Sequence, residues 1–337
     1  MSMDFVTGGT GLIGSHVIFD LLKKGRKVKA LKREGSNTEI LTTLAPFYNI
    51  STELIHTIEW VTLSLWDQIG LEEALVGCED IYHCAAIVSF EKGQEDLLMD
   101  VNVRGTETLV NAALNSNIRK FCHVSSTAAI GKPKNAKIVT EKANWNENEN
   151  PSKYGISKHH GEREVWRGIE EGLNAVIVNP CIVIGPGDWG KSSTNLFVSA
   201  WNGMKYYTEG ANAFVDVRDI SKIMIQLMES DISSQRFLLI GENMSFRELF
   251  NLMCDALSKP RPSVKATPTM AQIAWRLDWL RSKLTGRPQL ITKETAQNAQ
   301  QVTVYDNTKI KETLGITFAS IDQAVKHSAQ IFLKQYP

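Results

Sequence analysis

Residues 5–14 read Phe-Val-Thr-Gly-Gly-Thr-Gly-Leu-Ile-Gly, a short apolar stretch running into three evenly spaced glycines, and an amphipathic stretch follows. Without a Cβ, Gly8 suits a tight strand-to-helix turn. Gly11 would let the backbone approach a pyrophosphate, and Gly14 would let the helix pack close to the sheet. Free N–H groups at the start of that helix would face the phosphates. The stretch predicts a dinucleotide-binding turn, with an ordinary glycine-rich turn as the alternative.

Length and charge restrict the classes of function. The chain has 337 residues, enough for two domains, and its 37 basic residues equal its 37 acidic ones. This balance gives no overall field that would attract nucleic acid or an acidic membrane. No apolar run approaches the ~20 residues of a membrane span, and a strand from residue 3 leaves no room for a signal peptide. Five scattered cysteines lack a CxxC pair, so we expect a soluble, cytoplasmic protein without a structural metal.

Strand and helix patterns alternate through the first half of the chain. Strands are predicted at Met3–Thr7, Lys27–Lys32, Glu59–Leu63, Asp80–Cys84, Lys120–Val124 and Ala175–Asn179. Helices are predicted at Leu12–Lys24, Asp67–Val76, Asp96–Asn115 and 151–171. Such alternation indicates an α/β fold, a doubly wound parallel sheet of the Rossmann type with helices on both faces. Ligands should then bind at the carboxyl ends of the strands.

The pattern changes after Pro180, where segments become short or helical. Phe214–Val217 and Arg236–Ile240 read as isolated strands, the second of which could return to the sheet edge. Helices are predicted at Ser245–Ser258, Met270–Leu284, Thr292–Asn298 and Ile321–Lys334. We therefore expect residues 1–180, joined by 213–241, to form the dinucleotide-binding domain. Residues 181–212 and 242–337 would form a smaller, mostly helical substrate region.

A tyrosine and a lysine stand four residues apart, at Tyr154 and Lys158, on one face of a predicted helix. A nearby cation stabilises phenolate and lowers the pKa of a tyrosine, which suits it to exchange a proton with a carbonyl or an alcohol. Ser125, Ser126 and Thr127 follow the fifth strand directly, where a hydroxyl could bind the reacting oxygen. Solvated side chains on a helix surface and a helix cap are the structural alternatives.

In several segments the chain resembles the extended short-chain dehydrogenase/reductases, the NAD-dependent epimerase/dehydratase family. The matching segments are 7–14 (TGGTGLIG), 83–86 (HCAA), 102–106 (NVRGT), 154–158 (YGISK), 179–187 (NPCIVIGPG) and 214–219 (FVDVRD). The resemblance covers nearly the whole chain. It implies a nicotinamide cofactor, a small-molecule substrate and a homodimer.

The resemblance also implies the site residues. The catalytic group would be Thr127, Tyr154 and Lys158, with Ser126 as the alternative hydroxyl to Thr127. The cofactor-binding residues would be Gly8, Thr10, Gly11, Leu12, Ile13, Lys32, Arg33, Ala85, Ala86, Asn102, Ser125, Tyr154, Lys158 and Pro180.

Two positions depart from the family pattern. Members that prefer NAD usually end the second strand with an acid, but this chain has Lys32 and Arg33 there, which suit a 2′-phosphate. NADP(H) is therefore the preferred cofactor, with NAD(H) as the alternative. The third strand usually ends in a Gly-Asp pair near the adenine and here reads Leu63-Ser64, so the adenine contact is open.

Thr127 is followed by Ala128-Ala129, whereas sugar-nucleotide 4,6-dehydratases of the family carry an Asp-Glu pair there. The chain looks more like the dihydroflavonol-4-reductase-like and 3β-hydroxysteroid-dehydrogenase-like members, which implies reduction or oxidation of a hydrophobic substrate. Aromatic residues follow Pro180, namely Trp189, Phe197, Trp201, Tyr206, Tyr207 and Phe214, with few cations, namely Lys191, Lys205 and Arg218. A nucleotide-sugar epimerase and a non-enzymatic regulatory module remain the alternatives.

The stretch Met270–Arg287 combines tryptophans with basic residues. It could be a basic interfacial helix, but we expect it to pack on the substrate region. The partners expected overall are a small molecule, with no nucleic acid and no membrane.

Overall fold

The computed structural model describes residues 3–91, 93–132, 138–149, 151–286, 289 and 292–336. Its strands in chain order are β1 Met3–Thr7, β2 Lys27–Lys32, β3 Glu59–Thr62, β4 Cys78–His83, β5 Lys120–Val124, β6 Ala175–Pro180, β7 Ile182–Ile184, β8 Tyr206–Tyr207, β9 Ala211–Asp216, β10 Gln235–Leu239, β11 Glu242–Ser245 and β12 Val264–Lys265. Seven parallel strands form the central sheet, in the spatial order β10-β6-β5-β4-β1-β2-β3. The predicted Rossmann-type α/β fold is confirmed.

The helices are α1 Leu12–Lys23, α2 Glu39–Leu44, α3 Thr52–Ile55, α4 Gln68–Leu75, α5 Glu95–Met99, α6 Gly105–Leu114, α7 Lys153–Glu170, α8 Asn195–Trp201, α9 Val217–Glu229, α10 Phe246–Ala256, α11 Pro268–Thr285, α12 Lys293–Asn298, α13 Thr308–Leu314 and α14 Ile321–Gln335. A π-helical turn, Asp100–Arg104, joins α5 to α6. No helix among the described residues is long and apolar enough to cross a bilayer.

The sheet is covered on both faces because its strands carry apolar side chains in both directions. Val6 belongs to the core beneath α1 and α9, whereas Phe5 belongs to the core beneath α4, α6 and α7. The strand order reverses between β1 and β4, which neighbour each other although two strands separate them in sequence. In open α/β sheets, ligands bind at the carboxyl ends of strands at such a point.

The segments after β6 differ in part from the prediction. Phe214–Val217, expected as an isolated strand, contains the end of β9, which pairs with β7 and β11, and α9 follows β9 directly. The strand predicted at Arg236–Ile240 does return to the main sheet, since β10 pairs in parallel with β6. A separate core around Phe197, Phe214 and Phe332 holds α8, α10 and α14 together.

Candidate active site

The glycine turn between β1 and α1 has the close backbone packing that its sequence predicts. Gly8 has φ +68°, and a Cβ on it would come within 2.7 Å of the Ala85 nitrogen. A Cβ on Gly14 would overlap the carbonyl oxygen of Gly8. Gly11 is the N-cap of α1, and no side chain among the described residues caps it. The first N–H groups of α1, at Leu12 and Ile13, can therefore bind an anion, so this turn fits a dinucleotide pyrophosphate.

A series of buried hydrogen bonds connects the end of β4 to this turn. The Thr7 hydroxyl lies 2.7 Å from Nδ1 of His83, whose Nε2 lies 3.0 Å from the Thr106 hydroxyl. Thr7 Oγ1 also accepts a hydrogen bond from the Ala85 backbone at 3.2 Å. Burial lowers the pKa of His83 to about 3, so the ring is neutral and can donate one bond and accept another. These contacts place Ala85 and the partly exposed chain after it beside the glycine turn.

Asn102 lies in the π-helical turn and is buried. Its Oδ1 accepts a hydrogen bond from the Ile87 nitrogen at 2.8 Å, and its Nδ2 donates to the Ile87 carbonyl at 2.9 Å and to Ser157 Oγ at 3.0 Å. Ser157 Oγ in turn donates to the Tyr154 carbonyl at 2.8 Å. A Cβ on Gly161 would overlap the Asn102 carbonyl oxygen. Asn102 thus joins the chain after β4 to the helix that carries Tyr154.

Tyr154 and Lys158 lie in the first two turns of α7, which begins after the N-cap Ser152. The ammonium group of Lys158 is buried and donates a hydrogen bond to the Val124 carbonyl at 2.8 Å. Burial lowers the pKa of Lys158 to about 8, against an opposing effect of Glu162. Burial also raises the pKa of Tyr154, and a hydrogen bond with Ser126 partly offsets this. The lowered tyrosine pKa expected from the Lys158 spacing is therefore wrong, because burial dominates.

The three hydroxyls after β5 have different surroundings. Ser125 Oγ donates to Glu162 Oε2 at 2.7 Å, deep in the protein. Ser126 Oγ accepts from the Ala128 nitrogen at 3.1 Å and is the hydroxyl that bonds Tyr154. Thr127 is buried and begins a 3-10 turn, Thr127–Ala129. Ser126 and Thr127 both lie at the end of β5 beside the first turn of α7.

Glu162 is a site residue that the sequence analysis did not single out. Besides the Ser125 hydroxyl, its carboxylate accepts hydrogen bonds from Asn179 Nδ2 at 2.7 Å, Arg236 Nη1 at 3.0 Å and Trp166 Nε1 at 3.3 Å. It is 2% exposed and stands four residues after Lys158. The spacing of four residues between Lys158 and Glu162, which puts both on one face of the helix, is the sequence feature that could have identified Glu162.

On the other side of β1, Lys32 ends β2 and Arg33 follows it, as expected. The Lys32 ammonium lies 5.9 Å from the centre of the Trp60 ring on β3, another residue that the sequence analysis passed over. Arg33 is exposed, in a turn closed by a hydrogen bond from its nitrogen to Ser36 Oγ at 3.1 Å. Asp67 accepts from the Gly70 nitrogen at 3.0 Å and so caps α4, which gives it a structural role.

Most of the aromatic residues after Pro180, itself buried at the end of β6, belong to cores. Phe197 and Phe214 are fully buried, and Trp189 packs edge-on against the Phe197 and Phe332 rings. The expected aromatic substrate lining is thus largely core packing. Phe90 instead contacts Tyr154, with the two ring centres 5.7 Å apart.

The cations expected near the substrate already have partners. Arg218 forms a bidentate pair with Asp216, and Lys191 lies 2.5 Å from Asp188. Lys205 lies 5.8 Å from the centre of the Tyr206 ring. Across the described residues, no group of three or more His, Cys, Asp or Glu side chains could hold a metal ion.

Comparisons with known proteins show what this chain is similar to. The family model described as "NAD dependent epimerase/dehydratase family" matches residues 5–241. "Sterol demethylase protein B" of Methylococcus capsulatus is 30% identical over 79% of this chain and 78% of its own length. A "Putative dihydroflavonol 4-reductase" of Synechocystis is 26% identical over 97% of this chain and 94% of its own. The crystal structure of gox2253 covers 100% of this chain and 99% of its own, with 26% identity and a TM-score of 0.82.

Proposed function

The chain belongs to the NAD dependent epimerase/dehydratase family, and on that premise we propose that it is an NADP(H)-dependent oxidoreductase. It interconverts a carbonyl and an alcohol on a small hydrophobic substrate. The observation that carries the proposal is the meeting of Tyr154, Ser126 and Lys158 at the end of β5, on the same sheet edge as the glycine turn.

Each residue of the proposed site has its own role in the reaction. When bound, the dinucleotide supplies hydride exchange at its nicotinamide ring. Tyr154 gives its phenolic proton to the carbonyl oxygen, or takes it from the alcohol. Ser126 holds the tyrosine hydroxyl, and Thr127 orients the reacting oxygen. Lys158, held by the Val124 carbonyl, supplies positive charge beside the site.

A hydrophobic substrate is supported by three observations. Phe90 presents an apolar ring to Tyr154. Arg218, a cation that a diphosphate could use, is held in an ion pair with Asp216. Two relatives are named after a reductase and a sterol-processing protein. The absence of an acid at Ala128 and Ala129 separately argues against the dehydratase reaction.

The test is turnover with two panels of compounds. We expect NADPH oxidation with hydrophobic ketones or aldehydes and no interconversion of sugar nucleotides. Tyr154→Phe keeps the ring but removes the transferable proton, so kcat should fall at least ~100-fold while NADPH binding is retained. Tyr206→Phe, which changes an exposed ring on β8, is the matched control.

Three results would overturn the proposal. Turnover that survives Tyr154→Phe would require another acid. Tight binding of UDP or a UDP-sugar by calorimetry would favour the nucleotide-sugar epimerase, which the family also includes. Binding of NADPH with no turnover of either panel would instead favour the non-enzymatic module.

A further inference from the structure

Helix α11 presents a row of apolar side chains to solvent. None of its eighteen residues, all of which the structure describes, is buried, and its main neighbour is α12. The stretch therefore packs on part of the predicted substrate region, namely α12, as expected, but it leaves its opposite face exposed. Arg287, at its predicted end, lies outside the described residues. The exposed row recurs at intervals of three and four residues, at Met270, Ile273, Leu277, Leu280 and Leu284. This spacing puts all five side chains on one face.

The charges beside this row have one sign. Arg276 and Lys283 are exposed along one edge of it. The single acid among residues 266–286, Asp278, pairs with Arg281 at 2.7 Å, and its side chain is 11% exposed. The exposed charged residues of this segment, Arg276 and Lys283, are therefore both positive.

Charge decides which partner fits this face. In a helix pair, residues that flank an apolar row of this spacing face their counterparts across the seam. Two copies of α11 would bring Arg276 and Lys283 against each other or against Arg281, which is unfavourable in either orientation. An anionic lipid surface instead offers hydrocarbon to the row and negative headgroups to its edge.

We propose that α11 docks the protein on the surface of an anionic phospholipid bilayer. The helix lies in the plane of the interface, with the apolar row at the boundary between headgroups and acyl chains. The zero net charge of the chain is compatible with this proposal. At physiological salt a charge acts over a Debye length of about 8 Å, so the attraction to the bilayer depends on the charges beside the apolar row and not on the net charge.

Helix α12 lies between α11 and α7, the helix that carries Tyr154. Glu294 of α12 forms a hydrogen bond with Ser152, the N-cap of α7, two residues before Tyr154. An open groove of about 420 Å³ runs along the contact between α11 and α12, lined by Ala271 and Gln272 on one side and Ala296 on the other. Docking would thus bring the site beside a bilayer that dissolves hydrophobic substrates. This last link rests on the proposed function, whereas docking itself does not.

The test is co-sedimentation of the full chain with vesicles. We expect binding to phosphatidylcholine vesicles that contain phosphatidylserine, little binding to phosphatidylcholine alone, and weaker binding in high salt. Replacing both Arg276 and Lys283 by Gln should weaken binding about 30-fold, since each cation near an acidic surface contributes about a factor of five. Replacing both Leu277 and Leu280 by Ser should weaken it at least ~10-fold.

Ile69→Ser is the matched control, because Ile69 is an equally apolar, 73% exposed residue on α4; its variant should bind like the parent. No binding to acidic vesicles overturns the proposal. So does a dimer, seen by analytical ultracentrifugation, that the Leu277/Leu280 double substitution dissociates, because α11 would then be an interface between copies. Vesicle binding is measured without substrate, so failure of the reductase assay leaves it unaffected.

Discussion

Lys158 and Glu162 lie one helical turn apart on the buried face of α7, each 2% exposed. The carboxylate favours the charged form of the lysine, whose pKa burial lowers to about 8. Glu162→Gln keeps the size of the side chain and removes this charge. The pKa of Lys158 should then fall further, and the limb of the pH–rate profile that depends on it should move to lower pH by about one pH unit.

The control for this variant is Glu164→Gln, which removes a carboxylate from the same helix where it pairs with Arg167. Its pH–rate profile should match that of the parent. If Glu162→Gln lowers the midpoint of thermal unfolding but leaves the profile in place, Glu162 serves the fold and not the lysine.

Ser126 and Thr127 can be separated by their kinetics. Ser126→Ala removes the hydrogen bond that lowers the pKa of Tyr154, so activity should require higher pH in the direction of alcohol oxidation. Thr127→Val keeps the shape of the side chain but removes a hydroxyl from the reacting oxygen, and kcat should fall about 100-fold at every pH. The opposite pattern, with Thr127→Val nearly fully active, would assign the orienting role to Ser126.

The cofactor preference depends on the exposed end of β2. We expect NADPH to bind more tightly than NADH, because Lys32 and Arg33 can bond a 2′-phosphate. Arg33→Ala should reduce the ratio of the two dissociation constants by about tenfold or more, since a hydrogen bond to a charged group contributes about 1.5–3 kcal/mol. Fluorescence titration measures both constants, with the neighbouring Glu34→Ala as control. Equal affinities in the parent protein would exclude the preference.

The burial of His123 should make the stability of the protein depend on pH. It is fully buried on β5, and neither ring nitrogen has a hydrogen-bond partner among the described residues. Burial holds its pKa well below the usual value, so the unfolded chain takes up a proton below pH ~6.5 that the folded protein does not. The stability that this neutral ring contributes is complete above that pH and is lost as the pH falls.

We therefore expect His123→Leu to reduce the loss of unfolding free energy between about pH 7.5 and about pH 5 by about 2 kcal/mol. Urea unfolding at the two pH values measures this, with the exposed His56→Leu as control. Asp80, whose pKa burial raises to about 6, acts in the opposite direction but equally in both proteins. Parallel curves for parent and variant would contradict the prediction.

The elements that sequence predicts well are those fixed by local pattern. β1, β2 and β5 match their predicted bounds because each is a short segment typical of a strand, and β2 also follows the glycine that ends the helix before it. The sequence pattern does not predict helix α9, although its N-cap Asp216 accepts a hydrogen bond from the Arg218 nitrogen at 2.8 Å. Asp216 is both the last residue of β9 and the N-cap of α9. The strand pattern therefore continues up to the residue at which the helix begins, and it hides the start of the helix.

The site shows where local pattern stops being informative. Spacing alone brings Tyr154 and Lys158 to one face of a helix, but it does not reveal that the lysine donates to Val124. The partners of Glu162 come from three other parts of the chain, through Ser125, Asn179 and Arg236. Composition likewise cannot separate a core aromatic from one that lines a pocket, since both are apolar; the difference depends on long-range packing.

The close contact of Gly161 with the Asn102 carbonyl has a consequence for how such a protein can change. This contact fixes how closely α7 packs on the π-helical turn, since any larger residue at 161 would push the two apart. The position of Tyr154 over the sheet therefore depends on the contact between Gly161 and the Asn102 carbonyl oxygen. We therefore expect position 161 to accept no residue larger than glycine, whatever changes are made in the loops around the site.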